Sequence, residues 1–381
     1  MPAVEASTPT IRKTALNAVH RQMGAKMVEF NGWDMPVEYP CAGGIMAEHN
    51  GVRTSVGIFD VSHMGDIRLA GADALAAVQH ISMNDAARLS AGQAQYSALL
   101  YPQGTFVDDV IVHRLAEDEY LLVINAGTRE KDFTWVRENT RGFKCRVEHL
   151  SDEFTQIAIQ GPRAVELLQK LTDADLSAVK FYWVTRGTVC GLKNILIART
   201  GYTGEDGFEI YIPADESTSV RVWNEILAAG KEFGAYPCGL GARNTLRLEA
   251  KLPLYGHEIS DTINVWEAGL DRFCKMEKAE FVGRAALEKA KAAGLRQTLV
   301  GLEMVERGIA RDGYKVLDDA GAEIGYVSSG SPAPFLKKNI ALAYVPPKFA
   351  AVGSSVKVEI RTQGVKAQVV PTPFYKRPKK S

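Results

Sequence analysis

The chain has 381 residues, 46% apolar and 24% charged, enough for two or three hydrophobic cores and too few charges for extensive disorder. Lys plus Arg and Asp plus Glu stand at 45 each, which removes the net positive field that nucleic acid or an anionic membrane would need. The five cysteines are odd in number and lack CxxC spacing, which predicts buried free thiols and no zinc or iron–sulfur site; with no apolar run of roughly 18 residues and no secretory pattern at the start, the expectation is a cytoplasmic protein.

In chain order, residues 13–23 carry Leu16, Val19 and Met23 at helical spacing, residues 26–30 read as a strand, and 31–36 predict a break in regular structure. A helix is expected over 44–56, and 58–64 leads into a strand at 66–69. His63 lies there among apolar neighbours. The seven histidines form no HxH or HExxH pattern, which predicts a packed side chain and no catalytic metal. A meander follows, with strands at 95–101, 105–114 and 119–125. Its middle strand holds adjacent acids, Asp108 and Asp109, and successive strand residues point to opposite faces, so one should face solvent and the other the interior or a cavity. A carboxylate in an apolar strand is costly without hydrogen bonds or a function, and a turn-capping acid and a functional one stay equally open on this evidence.

Further on come a helix over 128–139, strands at 143–150 and 154–160, and a helix from Pro162 to about residue 171. Residues 195–212, ILIARTGYTGEDGFEIYI, then read as two strands around a connection with three glycines. Such a hairpin presents the flat ring of Tyr202 and the carboxylate of Glu209 from one unit, and a carboxylate can accept paired hydrogen bonds from a planar N–H/NH2 edge. An ordinary hairpin with solvated Glu205 and Asp206 fits the same residues. Helices are expected over 216–229 and 239–250; the second carries Arg243 in its first turn and Arg247 one step on, either as surface charges or, for Arg243, as an anion contact at a glycine-rich helix start. After a helix at 284–293, five short strands (297–305, 314–317, 323–328, 340–345, 355–360) predict a small antiparallel sandwich or barrel and a domain boundary near 295.

Nine ordered segments carry a resemblance: FNGWDMPVEY (30–39), GIFDVSHMG (57–65), GQAQYSALL (92–100), VDDVIV (107–112), INAGTREKD (124–132), IQGP (159–162), TGYTGEDGFEI (200–210), GARNTLRLEA (241–250) and SGSPAPFLKKNIALAYV (329–345). Over almost its whole length the chain resembles the T-protein, or aminomethyltransferase, family of the glycine cleavage system. The resemblance implies an α+β, three-domain cloverleaf around a central folate pocket. Residues 1–295 would form an α+β folate-binding region of two interwoven domains, the second roughly 57–140, and residues 296–381 a C-terminal antiparallel β-barrel. It implies Asp109 as the catalytic carboxylate, with Tyr96, Asn125, Tyr202, Glu209 and Arg243 lining the folate pocket and Arg377, in the basic C-terminal segment, closing it.

The implied reaction takes the methylene of an aminomethyl-lipoyl carrier, the lipoylated H-protein met transiently, onto the co-substrate tetrahydrofolate, releasing ammonia and the dihydrolipoyl carrier; no metal is implied. Asp109 would orient the folate nitrogens, stabilise cationic character on the methylene and pass protons. Lys337 and Lys338 are candidates for attracting an acidic carrier, or are two solvated lysines. One departure is Arg272, which stands where many T-proteins carry tryptophan, with Trp266 and Phe273 nearby. Two rivals are a folate-dependent demethylase of a sulfonium substrate on the same fold and a non-catalytic folate-binding protein; the second would carry a KGCYxGQ-type motif, and residues 278–284 read KAEFVGR.

Overall fold

Asn31 and Gly32 both take left-handed backbone angles (φ 50° and 82°), and this pair turns the strand Lys26–Phe30 directly into Trp33–Glu38. The break expected over 31–36 is thus a two-residue hairpin turn, because Asn and Gly tolerate the positive φ that such turns demand. The computed structural model describes residues 11–278 and 280–378.

A six-stranded sheet runs in the order Val184–Val189, Leu192–Ala198, Gly207–Pro213, Phe154–Gln160, Val56–Asp60, Ala235–Cys238; only its last pair is parallel. Val56, expected in a helix, begins one of these strands, since the helix Gly44–Thr54 stops two residues earlier. Between Val56–Asp60 and Phe154–Gln160 the chain forms a second sheet of five antiparallel strands, ordered Gln93–Leu100, Phe106–Ala116, Glu119–Ile124, Gly65–Ala70, Arg146–His149. Each sheet buries one face under helices. Leu167, Val222, Trp223 and Ile226 cover the first, and Ala77, Val78, Ile81 and Val136 the second. The two sheets then meet through Leu121, Leu196, Ala198 and Tyr211.

The C-terminal strands close into a barrel, ordered Thr298–Met304, Lys338–Val345, Glu323–Ala333, Lys315–Leu317, Ser355–Ile360, Gln363–Val370. A sixth strand joins the five expected. The turn into it uses Arg361 and Thr362 at φ 50° and 68°, a hairpin geometry made without Gly or Asn and therefore without the usual sequence signal. Val300, Leu302, Val327, Val356 and Val358 fill the barrel, while Leu342 and Tyr344 pack outward with Phe106 and Leu248 of the preceding chain.

One smaller expectation changes. Of the cysteines, all free, Cys238 and Cys274 are buried, Cys145 and Cys190 are half-buried and Cys41 is exposed. Among the described residues no helix is long and apolar enough to cross a membrane.

Candidate functional site

The hairpin Leu192–Ala198 and Gly207–Pro213 pairs Ala198 with Glu209, so the residues between them project from the sheet edge as one connection. Of the three glycines only Gly204 needs a positive φ, 81°. Gly201 serves close approach instead: a Cβ there would lie 1.9 Å from Gln160 Oε1. Gln160, at the end of the neighbouring strand, fixes this connection by donating to the Thr200 carbonyl (3.0 Å) and accepting from the Thr203 hydroxyl (2.9 Å). Arg199 clamps its base by donating to both oxygens of Asp206, at 2.9 and 2.6 Å, and Glu205 is buried against Arg53. Neither acid is solvated. Both belong to the frame that holds Tyr202.

Opposite this connection stands the strand Phe106–Ala116. Asp109 faces the space between the two sheets, while Asp108 is fully buried on the other face, so the expectation that one acid meets solvent fails. The reason is that both faces are covered: helix Arg129–Asn139 and the Asn125–Thr128 turn enclose Asp108. One cleft between the sheets is lined by Tyr96, Asp109, Asn125, Tyr202, Glu209 and Arg243, which brings together six of the seven residues singled out in the sequence. Arg377 stands apart. It lines a neighbouring cleft with Tyr375 and Phe335, its guanidinium 3.7 Å from Asp206 and 4.9 Å from the Phe181 ring.

Burial, then the charge of neighbouring Asp108, pushes the Asp109 carboxyl up to about 7, against the hydrogen bond from Asn125 Nδ2 at 2.8 Å. Burial also raises Glu209, opposed by the Thr200 hydroxyl that donates to it and by the charge of Arg243. Arg243 lies over the Tyr202 ring, 4.3 Å from its centroid, and donates weakly to the Met64 sulfur at 3.8 Å. Tyr202 is itself fixed by donating to the Pro253 carbonyl, and the buried Tyr96 hydroxyl has no partner among the described residues. The cleft thus offers a carboxylate and an unpaired hydroxyl at one side, a second carboxylate at the other, and an aromatic ring backed by a cation. That set suits a flat, hydrogen-bonding heterocycle whose edge carries donors.

Residue-type reasoning missed Gln160, Thr200 and Tyr182, which also line the cleft. Gln160 was visible within IQGP, but its role depends on strands far apart in sequence; Tyr182, at φ 61°, carries no local signal. His63 is packed as expected, 1% exposed and edge-on to Phe30, with burial pulling its imidazole down to about 3. Arg247 is buried in an ion pair with Glu258 at 2.7 Å, which excludes the surface-charge reading. Phe273 packs on Tyr96 at 4.7 Å between centroids, and Arg272 lies over the Phe273 ring, so an aromatic backs the cleft-lining Tyr96 beside the departure at 272. Lys338 bonds Glu303 at 2.8 Å, which leaves Lys337 as the less committed of the two candidate docking lysines.

Two family models together match nearly all of the chain, the GCVT N-terminal domain over residues 16–278 and the glycine cleavage T-protein C-terminal barrel domain over residues 297–376. The chain belongs to the glycine cleavage T-protein family. Similar T-proteins include the aminomethyltransferase of Koribacter versatilis, 73% identical over 100% of this chain and 99% of that one, and that of Acidobacterium capsulatum, 67% identical over 97% of each. The crystal structure of glycine cleavage system aminomethyltransferase T from Bartonella henselae superposes with a TM-score of 0.89 at 33% identity, covering 96% of this chain and 98% of that one. The cleft between the two sheets therefore lies in a shared T-protein architecture that includes the barrel.

Proposed function

We propose that this chain transfers the methylene of an aminomethyl-lipoyl carrier protein to tetrahydrofolate, giving 5,10-methylenetetrahydrofolate, ammonia and the dihydrolipoyl carrier, with Asp109 as the catalytic carboxylate. Membership of the aminomethyltransferase family supports the reaction class. The observation that carries the residue roles is the convergence of Asp109, Glu209, Tyr96, Asn125, Tyr202 and Arg243 on one cleft. We further take residues 296–381 as a separate barrel domain and the inserted strands within roughly 57–140 as the second of two interwoven domains.

The residues fit a pterin. Glu209, one of whose oxygens already accepts from Thr200, would offer its carboxylate to a donor edge, and the Tyr96 hydroxyl beside Asp109 would offer a further contact. Tetrahydrofolate supplies the two nitrogens that take the methylene. Tyr202, with Arg243 over its ring, would offer the pterin a flat face, and Asn125, bonded to Asp109, would hold that carboxylate toward the cleft. A carboxyl held near neutrality suits both tasks required of it: as the anion it stabilises positive charge developing on the methylene, and it takes or returns a proton as the amine leaves. Arg377 stands 3.7 Å from Asp206 in the neighbouring cleft, and its part in this reading is to close the site.

The test supplies tetrahydrofolate with aminomethyl-lipoyl carrier protein and, separately, with a sulfonium methyl donor. Methylenetetrahydrofolate and ammonia from the first alone are expected. 5-Methyltetrahydrofolate from the second would replace this reading with the demethylase.

A further inference from the structure

Behind Asp109 lie two more buried carboxyls that the reaction as described does not use. Asp108 accepts three hydrogen bonds, from the Asn125 backbone N–H at 3.1 Å, from Asn125 Nδ2 at 2.8 Å and from the Thr128 hydroxyl at 2.8 Å. Asp132, in the first turn of helix Arg129–Asn139 and equally inaccessible, faces Asp108. Neither Asp132 oxygen has a hydrogen-bond partner among the described residues. The nearest cation, Lys131 Nζ, is 3.7 Å away and is bonded to the Val107 carbonyl and the Tyr255 hydroxyl.

Two carboxylates sharing a dry site cannot both stay ionised, so one proton lies between them. Three hydrogen bonds end on Asp108 and, among the described residues, none on Asp132, whose nearest charge is Lys131 at 3.7 Å; this makes Asp108 the acceptor and leaves the proton on Asp132. Burial and the charge of Asp108 accordingly push the Asp132 carboxyl well above the usual carboxylate range. The last link is the Asn125 amide: its single nitrogen stands 2.8 Å from Asp108 and 2.8 Å from Asp109, one hydrogen for each.

We propose that Asp132 and Asp108 form a proton-sharing pair which, through the Asn125 amide, positions Asp109 and sets the pH at which it ionises. The assignment rests on Asp109 being the reacting carboxylate; Asp108 and Asp132 touch no substrate and act as positioning residues. Asp109 is also faced by Tyr96, Tyr182, Tyr202 and Arg243 from other elements, and the pair by Lys131 and Tyr255, none of which the tests below alter. The sign follows from like charges. Asp108 raises Asp109, so neutralising Asp108 lowers it, and a rate that needs ionised Asp109 reaches its plateau at lower pH.

Two measurements on the full chain test this: the carboxyl 13C titration of Asp109, assigned by difference from Asp109→Asn, and the pH profile of kcat/KM with carrier and folate. Asp108→Asn should move both midpoints down by about one pH unit or more. Asp132→Asn replaces the acid O–H toward Asp108 by an amide N–H and should leave both in place, while removing a protonated-carboxyl infrared band that the unmodified protein shows at neutral pH. Should Asp108→Asn fail to fold, that band decides alone, and its absence overturns the pair. A downward shift in Asp132→Asn with none in Asp108→Asn overturns the placement of the proton, and no shift in either overturns the coupling. A carboxyl titration that moves while the kinetic limb does not supports the pair and counts against Asp109 as the reacting group.

Discussion

Within the cleft each carboxylate is held differently, and the difference decides what its loss should do. Asp109 receives a hydrogen bond from Asn125 and faces the cleft beside Tyr96, whereas Glu209 is tied to Thr200 beside the charge of Arg243. Asp109→Asn keeps the size and loses the anion, so folate affinity should stay within about tenfold, roughly 1.4 kcal/mol, while turnover falls by a factor on the order of 100 or more. Steady-state kinetics alongside folate titration would separate the two, and near-normal turnover would remove Asp109 from the chemistry. Glu209→Gln turns one of two acceptor oxygens into a donor aimed at the ligand's own donors. It should cost about 1.5–3 kcal/mol of folate affinity with a smaller effect on bound turnover; an unchanged titration would place Glu209 outside the binding surface. At this scale, strand alternation correctly separated Asp108 from Asp109 but could not say what covers the second face. That covering comes from helix Arg129–Asn139, and residue periodicity is silent about which element packs on which.

Local elements were most legible where a backbone requirement leaves a chemical trace. The runs Phe154–Gln160, Arg284–Ala293 and Ser355–Ile360 were expected with these same bounds, each marked by a clear apolar period and flanking turn residues. The Arg361-Thr362 turn left no such trace, and the strand Gln363–Val370 was missed with it. The connection at 199–206 shows a third case, because its glycines were visible but their reason was not. Gly201 is small for Gln160, so Gly201→Ala must push aside the side chain that holds the connection to the sheet. A displaced buried amide loses its two partners, about 1–3 kcal/mol of stability, and Tyr202 loses its register with Arg243. Denaturant midpoints should fall by that amount and folate affinity should fall with them. A stable variant with intact binding would show that Gln160 moves freely and that the close approach carries no function.

The whole molecule depends on how the barrel is tied to the helix that carries Arg243. Arg247, one turn further along that helix, donates to Glu258 Oε2 at 2.7 Å and to the Ser329 hydroxyl of the barrel at 2.8 Å, and Glu258 Oε1 accepts from Ser328 at 2.8 Å. The motifs holding Arg247 and Ser329 were both visible in the sequence, yet their partnership spans 82 residues and nothing in either motif announces it. Arg247 and Glu258 are at most 1% exposed, so neither charge can turn to water if its partner goes. Glu258→Ala should therefore destabilise the chain by about 3–5 kcal/mol, chiefly the penalty of a buried, unpaired guanidinium. Replacing both residues with apolar ones, Glu258→Leu with Arg247→Met, should recover much of that loss, because a buried pair often gains little over well-packed hydrophobics. Folate affinity should not recover in step, since the doubly substituted helix no longer fixes Arg243 against Tyr202 through a directional contact with the barrel. Chemical denaturation with folate titration on the two variants decides the matter: a loss below about 1 kcal/mol in Glu258→Ala would mean that the barrel is held by its apolar contacts alone.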